Sequence, residues 1–328
     1  MSESNYKNSL LQITLPTLTS FNEYHRELIE SAVNCSSESL TIHVSCQKIE
    51  IYRNYPVEYW TEFHDLLNFL YLSGTKVSYD NLKHFLEIDI IFEKWNGYNI
   101  ELVKEKNFDV FFGSKAEQSR LQEFNDNRKK ASLSDVHILI FDTKTSPKNI
   151  MYDQNFEDRK KFNENPKKLY QTAIVGGTFD HLHAGHKILL TMTAWISGEK
   201  MICGVTDDCM LKTKKFKEFL EPINIRITKV LKFLNAIHQG LLYEVVPIYD
   251  IYGPTISEPS IQALVVSKET MSGSGLINEE RQKRGFETLN IFVIEVISSS
   301  NPSLKEDLKD HKLSSTYLRE LCKNSKSK

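Results

Sequence analysis

The sequence predicts an α/β fold: a mostly parallel sheet with helices on both faces, preceded by a second α/β domain built on the same plan. Three observations predict it. Short apolar runs alternate with amphipathic stretches along the chain. A glycine-rich turn joins one apolar run to a helix start at residues 176–186. The length of 328 residues suits two domains rather than one.

In the second half, Thr172–Val175 reads as a buried strand, His186–Ser197 as a helix, and Met201–Thr206 as the strand that completes a βαβ unit. Ile225–His238 has helical periodicity and stops before Gly240, expected as its C-cap. Tyr243–Ile248, Ala263–Ser267 and Ile291–Ile297 are further strands. Residues 143–168 are polar, contain Pro147 and Pro166, and read as a linker with room for one short helix. The expected domains are therefore 1–142 and 169–328.

The first half repeats the plan. Ile13 stands to Ile174 as Thr17 to Thr178, His25 to His186, Leu28 to Leu189 and Val44 to Val205, each pair 161 positions apart. Ser114-Lys115, Arg128 and Ile138 match Ser267-Lys268, Arg281 and Ile291, each 153 apart. Any two α/β units share apolar spacing, so the polar matches carry the expectation of a degenerate duplication. Different strand orders in the two halves would dispose of it.

Composition narrows the function classes. The chain is 40% hydrophobic and 26% charged with a formal net charge of -2, which gives no electrostatic reason to expect nucleic acid or an anionic membrane as partner. Five cysteines are scattered without a CxxC pair, which fits a reducing compartment and argues against structural zinc. The start, MSESNYKNSLLQ, lacks the basic flank and apolar stretch of a secretory signal, and no apolar run reaches membrane-span length. A cytoplasmic protein is expected.

The chemistry concentrates in Gly176-Gly177-Thr178-Phe179-Asp180-His181-Leu182-His183-Ala184-Gly185-His186, which follows a strand and opens a helix. Open parallel sheets place ligands there, beyond the carboxyl end of a strand. Gly176 and Gly177 let the backbone turn sharply and approach a ligand, and Gly185 removes a side chain that would block that approach. His183 and His186 at a helix start can donate to phosphate oxygens, with the unpaired N–H groups and the helix dipole in support. A lone HxxH is more simply a core histidine pair. Here the GGTFD turn, the HxGH order and the strand–turn–helix context coincide, which favours phosphate binding. No third ligand stands at zinc spacing, and no metal-binding side chains are assigned.

Two further segments belong with it. Ser314, Ser315 and Thr316 in LSSTYLRE read first as an N-cap. The same hydroxyls and N–H groups can bind phosphate, with Arg319 one turn further along. The lysines of Leu211–Lys217 lie beyond the second strand, where Lys212 is the first choice and Lys214 the reserve for reaching a phosphate.

The stretches AIVGGTFDHLHAGHKILL, GVTDDCMLKTKK, YGPTISEPSIQALVVSKET, INEERQKRG and LSSTYLRE together resemble the eukaryotic phosphopantetheine adenylyltransferases over about residues 170 to 322. HxGH alone also admits cytidylyltransferases, other adenylyltransferases and class I aminoacyl-tRNA synthetases. No KMSKS-type loop is present. The resemblance implies a Rossmann-like HxGH nucleotidyltransferase fold that joins ATP and 4'-phosphopantetheine to give dephospho-coenzyme A and pyrophosphate, with Mg²⁺ accompanying ATP. It further implies that Thr178, His183, His186 and Lys212 handle the triphosphate and the transferring group. Ser314, Ser315, Thr316 and Arg319 would hold ATP phosphates from the far side. Ser267, Lys268, Glu269, Asn278 and Arg281 would lie in or beside the adenosine and acceptor pockets. Animal members are typically fused to a kinase, but no G-x-x-x-x-G-K-S/T occurs here, so one activity is expected.

In the first half Tyr24 stands where Gly185 stands, and Asn22 replaces His183. A tyrosine at the close-approach position obstructs a triphosphate, so residues 1–142 are expected to be catalytically dead and to serve packing, regulation or docking of other coenzyme A pathway enzymes. The alternatives are a cytidylyltransferase, a nicotinamide mononucleotide adenylyltransferase or, from another class, a scaffold for that pathway.

Overall fold

Strand β1 (Tyr6–Leu15) buries Leu10, Leu11, Ile13 and Leu15 completely, as a strand covered on both faces must. In the computed structural model, which describes residues 5–146, 169–295 and 314–326, every sheet strand pairs in parallel. The chain divides into two units at Lys167/Lys168. Residues 147–168, most of the expected linker, lie outside the described residues, as do Ile297, Lys312 and Leu313. The first unit continues past residue 142, because the amides of Lys144 and Thr145 donate to the Glu27 carboxylate at 2.7 and 3.3 Å. Among the described residues, no helix is long and apolar enough to cross a membrane.

The first unit runs β1, α1 (Glu23–Cys35), β2 (Ser36–Cys46), α2 (Ile49–Arg53), α3 (Trp60–Asp80), β3 (Glu87–Phe92), β4 (Val110–Gly113), α4 (Gln118–Lys130) and β5 (His137–Ile140). The second runs β6 (Tyr170–Gly177), α5 (Ala184–Ile196), β7 (Ser197–Thr206), α6 (Ile223–Ile237), β8 (Leu242–Ile248), β9 (Ala263–Ser267), α7 (Ser272–Lys283), β10 (Asn290–Ile294) and α8 (Ser315–Lys326). The sheet orders are β3-β2-β1-β4-β5 and β10-β9-β6-β7-β8. Read from the opposite edge, the second is the first. Both reverse direction next to their first strand, at β1/β4 and β6/β9, which opens a ligand crevice at the carboxyl ends.

The two units also share side-chain braces that strand order alone does not require. Asn125 exchanges two hydrogen bonds with the backbone of Val136 at 2.8 and 2.9 Å, and Asn278 does the same with Leu289 at 3.1 and 2.8 Å. Arg128 Nε donates to the Ser134 carbonyl and Arg281 Nε to that of Glu287. A left-handed residue follows each of these helices, Ser132 at φ 58° and Gly285 at φ 76°.

Four expectations need correction. Leu10, not Ile13, is the counterpart of Ile174: Leu10 pairs with Thr41 and Phe111 as Ile174 pairs with Ile202 and Leu264. The loop from first strand to first helix is thus three residues longer in the first unit, which apolar spacing cannot reveal. Helix α5 starts at Ala184, and Ser197 already opens β7. Gly240 is no C-cap; His238 ends α6 in an extended conformation. Gly240 instead leaves room for the His238 ring, since a Cβ there would lie 2.7 Å from it.

Candidate active site

The turn between β6 and α5 is held in an unusual shape. Phe179 and His181 adopt left-handed backbone at φ 50° and 46°, a conformation side chains disfavour. Arg226, fully buried on α6, fastens the turn by donating to the carbonyls of Thr178, Thr206 and Glu221 at 2.6, 2.9 and 2.8 Å and to Asp208. Sequence reading missed Arg226. The signal was a basic residue in the first turn of a helix whose apolar face is buried.

The backbone conformation separates the expected glycine roles. A Cβ on Gly177 would press against the Phe179 ring at 3.0 Å, so that glycine makes room for a buried aromatic, not for a ligand. The Phe179 ring in turn backs His186, with centroids 5.3 Å apart. Around Gly176 the nearest atoms to a Cβ, the Gly204 carbonyl oxygen and Ile248 Cδ1, are 3.9 Å away, an ordinary contact distance that a side chain tolerates.

His183 is the N-cap of α5 but makes no side-chain cap bond; its ring stacks on His186 at 3.9 Å. Nδ1 of each ring is buried without a hydrogen-bond partner among the described residues. Burial, with His181 and Lys187 adding, lowers His183 to about 4. Burial, with His183 and Lys214 adding, holds His186 well below the usual 6.5. Two neutral imidazoles therefore sit at a helix N-terminus, where an anion would both accept hydrogen bonds from their N–H groups and be favoured by the dipole.

Lys212 and Lys214 are both exposed in the segment after β7. The charge of Lys214 is among the influences that lower His186, which brings the reserve lysine of the pair into the reading of the site. Ser267 ends β9, the neighbour of β6, and Lys268 and Glu269 follow it, with Lys268 paired to Glu295 at 3.1 Å.

Other expected ligand contacts are occupied by the protein. Arg281 is completely buried and donates to the carbonyls of Thr255, Glu258, Pro259, Ile261 and Glu287. Asn278 braces Leu289. Asp180 is buried and bound by Arg319 at 2.5 Å. Ser314 caps α8 through the Tyr317 amide, as its N-cap reading implied; Ser315 donates to the Asp180 carbonyl, and Thr316 accepts from Arg319. What α8 still offers an anion is the first-turn backbone N–H groups other than those of Tyr317 and Leu318, which Ser314 already engages.

In the first unit the corresponding ground is filled. Tyr24, at the position of Gly185, buries its ring and donates to Ser114, the counterpart of Ser267, at 2.5 Å. His25, the counterpart of His186, turns back on its own helix and accepts from the Asn22 amide at 3.2 Å in a capping box.

A family model described as "Cytidylyltransferase-like" matches residues 174–321. The chain is 33% identical to an uncharacterized protein of Schizosaccharomyces pombe over 95% of this chain and 96% of that one. It is 42% identical to the phosphopantetheine adenylyltransferase of Saccharomyces cerevisiae over 50% of this chain and 53% of the yeast protein, so it spans about half of that relative's length. It is 40% identical to the phosphopantetheine adenylyltransferase of Pyrococcus furiosus over 40% of this chain and 82% of that one.

Proposed function

We propose that this chain, which belongs to the cytidylyltransferase-like nucleotidyltransferases and is related through its second unit to the phosphopantetheine adenylyltransferases, transfers the adenylyl group of ATP to 4'-phosphopantetheine, giving dephospho-coenzyme A and pyrophosphate. The observation that carries this reading is the stacked, neutral His183–His186 pair with its two unpartnered Nδ1 atoms at the start of α5.

The acceptor phosphate is already a nucleophile, so the protein needs no general base. An acceptor oxygen bonds to the α-phosphorus as the bond to the bridging oxygen breaks, and pyrophosphate leaves with that electron pair. Charge grows on the equatorial oxygens and on the leaving group, and catalysis reduces to alignment and neutralisation. His183 and His186 donate N–H groups to those oxygens and become more basic as they do so. Lys214, with Lys212 behind it, supplies the mobile positive charge. The Thr178 hydroxyl orients the acceptor phosphate, while Gly176 and the end of β9 at Ser267, Lys268 and Glu269 border the nucleoside. Asn278 and Arg281 maintain the fold of this pocket rather than touch substrate.

Mg²⁺ would accompany ATP. Among the described residues no group of three His, Cys, Asp or Glu side chains is arranged to hold a metal ion, and Asp180 is already bound to Arg319. The ion would be carried by phosphate oxygens and water, and no step is assigned to it. The first unit performs no chemistry in this reading.

A pyrophosphate-release assay pairing ATP and CTP with 4'-phosphopantetheine, nicotinamide mononucleotide and phosphocholine tests the assignment. ATP with 4'-phosphopantetheine should exceed every other pair. A preference for CTP, or for the mononucleotide, would reassign the enzyme within its superfamily.

A further inference from the structure

We propose that Arg319 is not a phosphate ligand but a positioning residue, joined with Asp180 in a buried latch that assembles the phosphate site from three distant stretches of chain. The inference rests on the nucleotidyltransferase reading of the second unit for its catalytic consequence, but not for its structural content.

The side chains of Asp180 and Arg319 are 0% and 2% exposed, so no ligand reaches the guanidinium from solvent. Its donors are directed inward. Nη1 meets Asp180 Oδ2 at 2.5 Å, Nε donates to the Lys215 carbonyl at 2.9 Å, and Nη2 donates to Thr316 Oγ1 at 3.0 Å. One side chain on α8 thereby touches the β6–α5 turn, the lysine segment and the first turn of its own helix. Asp180 answers in kind. Its Oδ1 accepts from the Glu221 amide at 2.9 Å, and its carbonyl accepts from Ser315 Oγ at 2.9 Å. Glu221 closes the circuit by accepting from the His181 amide at 2.8 Å and pairing with Lys229 at 2.5 Å. Lys323 lies over the Phe216 ring at 5.1 Å, a second tie between α8 and the lysine segment.

The consequence is geometric. The lysines after β7 sit on an exposed segment that no strand or long helix restrains, and long flexible side chains aim poorly from a mobile backbone. Fixing the Lys215 carbonyl fixes the segment that carries Lys212 and Lys214. Fixing Asp180 fixes the turn that leads into His183 and His186. A buried pair with one partner removed leaves an uncompensated charge, so both ends of the latch are sensitive to substitution.

The test compares R319K, R319Q, D180N and the double variant D180N/R319Q in the full chain. Amide hydrogen exchange is followed without nucleotide, and steady-state kinetics with ATP. R319K keeps the charge against Asp180 and loses the forked reach to Lys215, so it is the variant chosen to stay folded. Expected for R319K is a wild-type melting temperature, exchange at least tenfold faster within residues 212–221, and a fall in kcat larger than the rise in KM for ATP. Expected for the double variant is a loss no greater than that of the worse single variant, because both substitutions open the same latch. The proposal is overturned if ligand-free R319K and R319Q exchange like wild type while KM for ATP rises, or if the two single effects add in the double variant. Because exchange is read without substrate, a wrong acceptor would leave the latch result standing, and a failed latch would leave the acceptor assay unaffected.

Discussion

The two units reach the same sheet order and the same braces, yet treat the carboxyl ends of their strands in opposite ways. At four corresponding positions the first unit has Gln12, His43, Glu93 and Arg120 where the second has Gly176, Gly204, Ile248 and Gly273. The first set is wired together. His43 Nδ1 meets Gln12 Oε1 at 2.7 Å, Gln12 Nε2 donates to Ser45 at 2.9 Å, Ser45 donates to Glu93, and Arg120 pairs with Glu93. The second set is three glycines and an aliphatic chain. The same ground is therefore taken by linked polar side chains in one unit and, in the other, by backbone with Ile248 packed over Gly204. A candidate site, on this comparison, is as much the absence of side chains as the presence of particular ones: the first unit links Gln12, His43, Glu93 and Arg120 to one another through Ser45, while the second leaves Nδ1 of His183 and of His186 without a partner among the described residues.

The largest expected contrast lies between the two matched histidines. His186→Ala should lower kcat by roughly 100- to 1000-fold, about 3 to 4 kcal/mol by analogy with lost oxyanion donors, with a smaller change in KM. His25→Ala should leave turnover unchanged and cost only the capping box. Equal turnover in the two variants would break the comparison.

Next comes ligand-linked stability. ATP at a hundredfold over its Kd should stabilise the second unit by about 2.7 kcal/mol and leave exchange in residues 5–146 unaltered. Acid should destabilise both units. His25, His43 and His183 fall to about 4 in the folded chain against 6.5 as the ordinary value, chiefly through burial. Stability is then full above about 6.5 and is lost as pH falls from there toward 4, since only the unfolded chain takes up protons easily in that window. ATP, whose phosphates favour protonated imidazoles, should blunt that loss in the second unit alone. Thermal melts of the full chain between pH 4 and 7, with exchange to assign the unit, check both points.

Converting the second unit toward the first should have a somewhat smaller effect. Gly176→Gln places the side chain of Gln12 at the matching position of the second unit, where the first carbon meets nothing closer than 3.9 Å. The fold should hold while ATP affinity falls by about 30-fold, roughly 2 kcal/mol. Unchanged ATP binding by calorimetry would mean that the nucleotide does not use this side of the turn.

The smallest contrast is an expected equality. Asn125→Ala and Asn278→Ala each strand a backbone N–H and C=O that the carboxamide had paired, for about 2 kcal/mol in either unit. Chemical denaturation with a probe in each unit should give matching losses. A loss confined to one unit would show that the brace had been replaced in the other.

Much of this molecule was legible before any coordinates. Apolar runs marked the second-unit strands, since a strand covered on both faces has few alternatives to Val, Ile and Leu. GGTFDHLHAGH marked the candidate site because a glycine-rich turn and two imidazoles at a helix start are a local arrangement, settled within a dozen residues. Tyr24 against Gly185 marked, for the same reason, the place where the first unit buries a ring. The roles of Phe179, Gly177, Asn278, Arg281 and Arg319 were not legible. Whether an arginine faces a ligand or five carbonyls depends on what surrounds it, and its neighbours come from stretches tens to more than a hundred residues away.

The sequence by itself determined the fold class, the glycine-rich turn that carries the candidate site and the bulky Tyr24 at the position of Gly185, because periodicity, glycine and helix-start chemistry act over short stretches of chain. Only the tertiary structure decided that Gln12, His43, Glu93 and Arg120 meet at the carboxyl end of one sheet, and that Arg319 is spent on Asp180. Hydrogen bonds and burial depend on distance in space, and the residues that meet there are scattered through the order of the chain.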